Sequence, residues 1–192
     1  MKKSGTMLML FVILTSCTSD LETIFIEREE LLVLTVDGYT DAWVSTNIQF
    51  LPGNLIAVNF EEDPAERVLF RRYYLIAEGK TPDNMFFEIT VILDIADRSD
   101  IRHTYRTDYS RTRGGLHQIS LVLGEIGDPG TFKFAELCAD SMQNAHFKIE
   151  RQNFDEELIA GTLEAELCEV TGGEFRLKII DAIFRDLKYN NL

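Results

Sequence analysis

Residues 85–96 read MFFEITVILDIA and decide the fold class of this chain. Every odd position is apolar, from Met85 to Ile95, whereas the even positions include Glu88 and Asp94. Successive side chains of a β-strand point to opposite faces of a sheet, so this period of two predicts a strand with one buried face. The phenylalanine and β-branched residues of the stretch favour the same structure.

Similar alternating runs recur along the chain and are separated by turn-forming segments. Each of the four prolines has Gly or Asp as a direct neighbour, and these residue types preset or tolerate turn dihedrals. No segment carries a useful apolar stripe of helical period. We therefore predict a single all-β domain, an antiparallel β-sandwich or barrel of nine to eleven strands. The predicted strands lie at about 31–36, 43–50, 55–60, 67–77, 85–95, 104–109, 117–124, 131–138, 145–151, 158–168 and 174–184.

The segment 43–60 predicts a β-hairpin. Ile48 and Phe50 precede the turn residues 52–54, and Ile56 and Val58 follow them. A three-residue loop pairs residue 50 with residue 56 and unites the four apolar side chains on one buried face, whereas a two-residue loop separates them. Because register follows the hydrophobic pattern, we expect the three-residue loop.

The composition excludes several classes of protein. The 192 residues carry 19 Lys and Arg against 32 Asp and Glu, a formal charge of −13, and 45% of the residues are hydrophobic. This hydrophobic content excludes intrinsic disorder, and three cysteines are too few for a disulfide-dense miniprotein. The length suffices for a core that folds without cross-links. An acidic chain repels phosphate backbones, so we expect no nucleic-acid partner.

The N-terminus carries the pattern of a secretory signal. Lys2 and Lys3 precede eight apolar residues, MLMLFVIL at 7–14. This run is too short to span a bilayer, which requires about 20 residues. The sequence LTSC at 14–17 resembles the lipobox of bacterial lipoproteins, whose cysteine becomes the new N-terminus. The alternative is an ordinary cleaved signal with a chance cysteine.

The lipobox resemblance implies that Cys17 carries a diacylglyceryl thioether and an N-linked acyl chain such as palmitate. Several acyl chains on one residue anchor durably, because each buried CH₂ contributes ~0.8 kcal/mol. The resemblance further implies a signal peptide at 1–16 and a lipid-anchored tether at 17–30, which leaves the predicted single β domain at 31–192. It places the protein at the bacterial cell envelope, with the outer membrane as the expected site. The processed chain would keep 17 basic and 32 acidic side chains, a formal charge of −15.

Two further cysteines, Cys138 and Cys168, would share the oxidising compartment outside the cytoplasm. A disulfide requires Cα atoms within about 7 Å of each other. Strand parity does not guarantee this distance, since Cys168 shares the parity of polar residues in its run and Cys138 that of apolar ones. A disulfide and two unpaired thiols remain open alternatives.

A second resemblance rests on VDGYTDAW at 36–43, on GTL at 161–163 and on the hydrophobic closing strand. These motifs are similar to those of small uncharacterised lipoproteins of Bacteroidota-type bacteria, over most of the processed chain. The resemblance implies a β-sandwich-like domain in the envelope. It brings no established activity, so no functional residue is carried over.

The sequence contains no established catalytic or metal-binding motif. His103, His117 and His146 have no partner at metal-ligand spacing, and HExxH, CxxC, GxSxG and Gly-rich phosphate loops are absent. The aspartates at 94, 97 and 100 lack the spacing and central glycine of a Ca²⁺ loop. We expect no metal and no cofactor. A catalytic carboxylate pair stays open, because such pairs are defined by distance in space.

Residues 98–113, RSDIRHTYRTDYSRTR, form an arginine-rich segment with five Arg, no Lys and two Asp. The planar guanidinium binds carboxylate or phosphate through two parallel hydrogen bonds, and tyrosines add stacking surface. The alternative is a solvated hairpin whose arginines pair with neighbouring carboxylates. The segment predicts a binding site for an acidic glycan, a lipid headgroup or an acidic protein face, formed by Arg102, Tyr105, Arg106, Tyr109 and Arg111.

Trp43 is a second candidate for ligand binding. Alternation places it on the polar face of its strand with Ser45, Asn47 and Gln49. An aromatic platform beside amide groups suits a sugar, and the alternative is a tryptophan packed under the preceding loop.

These features favour a membrane-anchored envelope lipoprotein whose non-catalytic β domain binds a ligand or partner, such as an acidic glycan or an envelope protein. The alternative is a hydrolase that acts on envelope glycans through a carboxylate pair.

Overall fold

The computed structural model of the chain describes residues 30–60, 63–170 and 173–189. The predicted signal peptide and Cys17 lie outside these residues. The described part is all-β, as predicted, with ten strands and two short 3₁₀ helices. The strands are β1 (Leu31–Val36), β2 (Trp43–Phe60), β3 (Asp63–Lys80), β4 (Phe86–Ala96), β5 (His103–Arg106), β6 (Gly114–Gly124), β7 (Lys133–Leu137), β8 (His146–Asn153), β9 (Leu158–Glu169) and β10 (Arg176–Lys188), and the helices are Pro129–Thr131 and Met142–Asn144.

The ten strands form one antiparallel sheet that closes on itself. Neighbours in the order β10-β1-β2-β3-β4-β6-β7-β9-β8-β5 are hydrogen-bonded, and β10 also pairs with β9. The last residues of β9 pair with β7 and its first residues pair with β8. Eight strands therefore form a closed ring, and β8 and β5 extend it. This is the sandwich- or barrel-like architecture that the sequence predicts.

Alternating apolar side chains fill the interior of the ring. In β4, the odd positions from Phe87 to Ile95 are all at most 2% exposed, which confirms the prediction for this stretch. Met85 packs against the same core from the end of the ring. Phe147 and Phe184 stack at 4.6 Å between ring centroids on the opposite wall. Burying one large apolar side chain stabilises the fold by ~1.5–3 kcal/mol, so the core dominates stability.

The predicted hairpin at 52–54 is wrong. β2 continues through these residues and pairs with β3, so that Phe50 faces Leu75 and Ile56 faces Phe70. The register shifts between Pro52 and Leu55, where β2 carries one more residue than β3. A bulge tolerates the missing N–H of proline, which explains why Pro-Gly-Asn does not turn the chain. Of the four side chains expected on one buried face, Ile48 and Phe50 are buried, whereas those at 56 and 58 are half-buried.

The predicted strand at 104–109 is shorter than expected. β5 ends at Arg106, and the residues after it fold back over β3 and β4. The fold-back ends in a turn in which the amide of Gly114 donates to the carbonyl of Ser110 at 2.8 Å. Gly114 has φ +96°, and a Cβ there would lie 1.8 Å from the carbonyl oxygen of Asp94. Only glycine permits this approach of the loop to the sheet.

Candidate functional site

Trp43 is a core residue, so the predicted sugar platform is wrong. Its side chain is fully buried and lies 5.1 Å from the Tyr39 ring and 5.4 Å from the Phe87 ring. The cause is a register shift between Val44 and Asn47, which places Trp43 and Ser45 on the buried face at the start of β2. The alternative of a packed tryptophan describes the structure.

In the first half of the arginine-rich segment, Arg102 and Tyr105 form hydrogen bonds to other residues of the same segment. Arg102 binds Asp100 through two hydrogen bonds of 2.9 Å, and both side chains are exposed. The hydrogen bonds from Arg102 lower the pKa of Asp100 to about 2. Tyr105 is 1% exposed and donates its hydroxyl hydrogen to the carbonyl of Ile101 at 2.8 Å. Tyr105 therefore presents no stacking surface to a ligand, and its place in the predicted site is wrong.

The second half of the segment packs on the outer face of the sheet. Asp94 alternates with the core residues of β4, so it points outward, yet it is fully buried. Arg72 binds it through two hydrogen bonds of 2.8 and 3.0 Å, and Tyr109 donates a short hydrogen bond to it. Nδ1 of His117 lies 3.3 Å from the Tyr109 hydroxyl oxygen. We refer to Arg72, Asp94, Tyr109 and His117 as the Asp94 cluster.

The Asp94 cluster fixes the loop to the sheet. Burial, and then the hydrogen bond to Asp94, raise the pKa of Tyr109 above its ordinary value, so the phenol stays protonated and keeps donating. The Phe70 ring lies 6.1 Å from the Tyr109 ring in an edge-to-face arrangement. Arg111 places its guanidinium carbon 5.1 Å from the centroid of Phe60 on the same face. These contacts tie the loop to β2, β3 and β4.

Arg106 belongs to a third region, an outer groove of about 530 Å³ beside β5, β8, β9 and β10. Glu164 and Glu166 line the groove, and Nε2 of His146 lies 3.9 Å from a carboxylate oxygen of Glu164. Glu166 accepts a hydrogen bond of 2.5 Å from Ser141, and Arg176 lies 3.1 Å from its other oxygen. The five residues predicted as one site thus lie in separate environments.

Cys138 and Cys168 form a disulfide, with Cα atoms 5.0 Å apart. Strand pairing brings them together, because Glu136 lies opposite Cys168 and the amide of Cys138 donates to the carbonyl of Glu166. The bond joins β7 to β9, where the ring closes. The two sulfurs and Asp140 are the group of described residues closest to metal-ligand geometry, but disulfide sulfurs are not thiolates and do not bind a cation.

A cleft of about 520 Å³ opens at one end of the ring, and we call it the ring-mouth cleft. Tyr39 contributes from the β1–β2 turn, Met85 from the β3–β4 turn, Phe132 from the segment before β7 and Phe175 from the segment before β10. Tyr39, Met85 and Phe175 also pack against the core. Three aromatic rings and a thioether therefore meet in one concave surface.

Local geometry holds the walls of the cleft in place. A Cβ on Gly124 would lie 2.7 Å from the Phe132 ring, so the ring sits directly on the backbone of β6. Phe86 supports Phe132 from the side, at 6.4 Å between centroids. The amide of Met85 donates to the hydroxyl of Thr81 at 3.1 Å, which fixes the β3–β4 turn. These contacts fix the positions of Phe132 and Met85 in the cleft.

The rim of the cleft is charged. Nζ of Lys133 lies 4.8 Å from the centroid of the Phe175 ring. Glu125 and Glu169 also line the cleft. Thr131 fixes the turn next to Glu125, because its hydroxyl accepts from the Glu125 amide and donates to the Asp128 carbonyl, both at 2.8 Å.

Sequence reasoning missed this cleft. Successive members of the set Tyr39, Met85, Phe132 and Phe175 lie more than 40 positions apart along the chain, and apolar side chains next to strands are interpreted as core. The available signal is that each of them stands beside a turn, where an apolar side chain has no strand neighbour to pack on both sides. Turn positions alone do not show that four turns share one end of the ring.

Comparison with known proteins returned no match among protein-family models, curated proteins or solved structures. Within the described residues, no helix is long and apolar enough to cross a membrane.

Proposed function

We propose that this protein is a membrane-anchored envelope lipoprotein whose β domain binds a ligand, without catalysis, in the ring-mouth cleft. The observation that carries this proposal is the convergence of Tyr39, Met85, Phe132 and Phe175 from four separate segments on one cleft of about 520 Å³. An apolar pocket with a few polar groups in the mouth of a closed sheet is the usual form of a small-molecule site.

The cleft suits binding better than chemistry. Its walls are rings, a thioether and backbone, and its charged groups stand at the rim. Transfer of apolar ligand surface into it releases about 25 cal/mol per Å². Because the cleft is supported by close contacts such as Phe132 on Gly124, the protein pays little ordering entropy on binding.

The anchor part of the proposal rests on the sequence alone. LTSC at 14–17, after a short apolar run and two lysines, resembles a lipobox and supports lipid attachment at Cys17. Lipidation would hold the domain at the envelope membrane and raise its local concentration near membrane-associated ligands.

Fluorescence titration with a neutral apolar probe, N-phenyl-1-naphthylamine, tests binding. We expect saturable enhancement, and a loss of affinity of about tenfold in Phe132→Ala, because the ring forms one wall of the cleft. Phe154→Ala is the matched control, since Phe154 is an exposed phenylalanine in a different turn. Tyr39→Ala provides a second cleft variant. Equal binding by all three variants and the wild type contradicts the proposal.

Metabolic labelling with a tagged fatty acid tests the anchor. We expect label on the wild type and none on Cys17→Ala, which should also leave the membrane fraction or remain unprocessed. Cys138→Ala controls for the loss of a cysteine. Equal labelling of the wild type and Cys17→Ala rules out lipidation at this residue.

A second candidate function is hydrolysis of envelope glycans in the outer groove. Glu164 and Glu166 lie two positions apart on β9, which places their Cα atoms roughly 7 Å from each other on one face of the strand. Glycosidase carboxyl groups lie about 5–9.5 Å apart, so this pair lies within reach of that geometry. The salt bridge from Arg176 and the hydrogen bond from Ser141 already engage Glu166, which favours a structural role.

Hydrolysis of purified envelope glycans distinguishes the two functions. An enzyme would release reducing ends, and both Glu164→Gln and Glu166→Gln would abolish the release while Glu150→Gln, on β8, would not. Absence of any release by the wild type leaves the non-catalytic function.

A further inference from the structure

We infer that the ring-mouth cleft selects amphiphilic molecules with a cationic head group, such as an alkyl ammonium, over neutral or anionic ones. This inference rests on the proposed ligand-binding function and names the chemical class of its ligand. Three features of the cleft support it: the faces of aromatic rings, carboxylates, and a lysine whose ammonium group lies over one of the rings.

Aromatic faces attract cations at the cleft. The face of an aromatic ring is electronegative, and it attracts a cation that lies within about 6 Å of the centroid. Tyr39, Phe132 and Phe175 present three such rings to one cleft. Rings grouped around a small cavity are the arrangement that recognises quaternary ammonium groups.

Lys133 shows that a cation is accepted there. Its Nζ lies 4.8 Å from the centroid of Phe175, while its side chain is otherwise exposed. The chain's own ammonium group therefore stands where the head group of a ligand would be stabilised. Because the lysine side chain is flexible and solvated, a ligand with an apolar tail can displace it without breaking a buried contact.

Carboxylates that line the cleft make its local charge negative. Glu125 and Glu169 line the cleft, and Asp128 lies in the same turn as Glu125. Among the described residues that line the cleft, Lys133 is the single basic one, so acidic groups there outnumber basic ones. Glu125 makes no ion pair with another described residue, which leaves its carboxylate available to a cation. The acidic chain as a whole, at −13, attracts cations and repels anions at longer range.

Three probes with the same tail and different head groups test the inference: octyltrimethylammonium, octanol and octanoate. The methyl group of Met85 reports binding by its NMR shift during titration of the purified protein. We expect octyltrimethylammonium to bind at least about tenfold more tightly than octanoate, with octanol between them. Raising the salt concentration should reduce only the difference between the charged probes.

Two variants separate the charges of the rim from net charge. Glu125→Gln should weaken octyltrimethylammonium about threefold or more and leave octanol unchanged, whereas Lys133→Met should strengthen it because the Phe175 face becomes free. Glu150→Gln and Lys148→Met are the matched controls. These two residues lie on β8, away from the cleft, and their exposed side chains form an ion pair with 2.7 Å between Nζ and the carboxylate oxygen. Both controls should bind all three probes as the wild type does.

The outcomes distinguish failure of this inference from failure of the proposed function. If octanol binds and octanoate equals or exceeds octyltrimethylammonium, the cleft binds ligands but the selection of cations is refuted. If Glu125→Gln and Glu150→Gln weaken the ammonium probe equally, the effect comes from net charge and the role of the rim is refuted. If none of the probes shifts Met85, the ligand-binding function itself is refuted.

Discussion

The arginine-rich segment and the ring-mouth cleft differ in how their side chains are used. The segment carries five arginines in sixteen residues, but Arg102 pairs with Asp100, Tyr105 is buried and Arg111 lies over Phe60. The cleft draws single apolar residues from four distant segments, and they face one another across a cavity. Residues that are close in sequence and resemble a binding site thus contact other residues of the chain, whereas residues far apart in sequence line the open cleft.

The reason lies in the immediate surroundings of each side chain. Arg102 binds the carboxylate of Asp100 and Arg111 lies over the ring of Phe60, so both guanidinium groups already have a partner within the chain. Apolar side chains at turns have no such partners. They stay accessible where the ring ends and the next layer of core is missing.

The largest predicted effect concerns Asp94, which the segment covers. Asp94→Ala should lower the free energy of unfolding by about 3–5 kcal/mol, because it leaves the Arg72 charge and the Tyr109 hydroxyl without their buried partner. Chemical denaturation measures the change. Asp100→Ala is the control, since its pair with Arg102 is exposed and should cost less than about 1 kcal/mol. Similar losses of stability in both variants would show that the Asp94 cluster does not fix the loop to the sheet.

The second prediction concerns the wall of the cleft. Gly124→Ala should cost about 1–3 kcal/mol, because the new Cβ would displace the Phe132 ring from 2.7 Å. The same variant should weaken binding of the neutral probe, since the cleft loses its shape. In Gly130→Ala the added Cβ would lie 3.3 Å from a carboxylate oxygen of Asp128, and stability should change by less than about 0.5 kcal/mol. Unchanged stability and binding in Gly124→Ala would refute the role of the close contact between Phe132 and Gly124 in shaping the cleft.

The third prediction tests the segment as a recognition site. Replacement of Arg102, Arg106 and Arg111 together by Gln should lower the melting temperature, because the ion pair of Arg102 and the contact of Arg111 with Phe60 are lost. Binding of an acidic glycan, measured by titration at low salt, should not change. Loss of such binding would support the segment as a recognition site, and replacement of the three arginines by Lys would then recover only part of the binding.

The smallest prediction concerns the pH dependence of one exposed pair. The folded-state pKa of Asp100 is lowered to about 2 by hydrogen bonds from Arg102, below its unfolded value of about 3.9. The stability from this pair is therefore present above pH 4 and is lost as the pH falls toward 2. Carboxyl NMR titration should show the pKa of Asp100 rising toward its ordinary value in Arg102→Gln. No change in that variant would mean that another group lowers the pKa.

The sequence by itself determined the fold class and most of the strands. Alternation along 85–96 requires one face to be buried whatever the neighbours are, because the period of two is a property of the strand backbone. It did not determine where Pro52-Gly53-Asn54 would lead, since a turn and a bulge use the same residues. The bulge was decided by β3, which continues to pair with β2 past that point.

Only the tertiary structure decided the fate of the candidate site residues. Trp43 is buried because of a register shift, Cys138 meets Cys168 because β7 closes the ring on β9, and Tyr109 bonds Asp94 because the loop folds back. The ring-mouth cleft depends on four turns reaching the same end of the ring. Each of these depends on contacts between residues far apart in the chain, and local pattern carries no information on such distances because register and closure are set by the packing of the whole sheet.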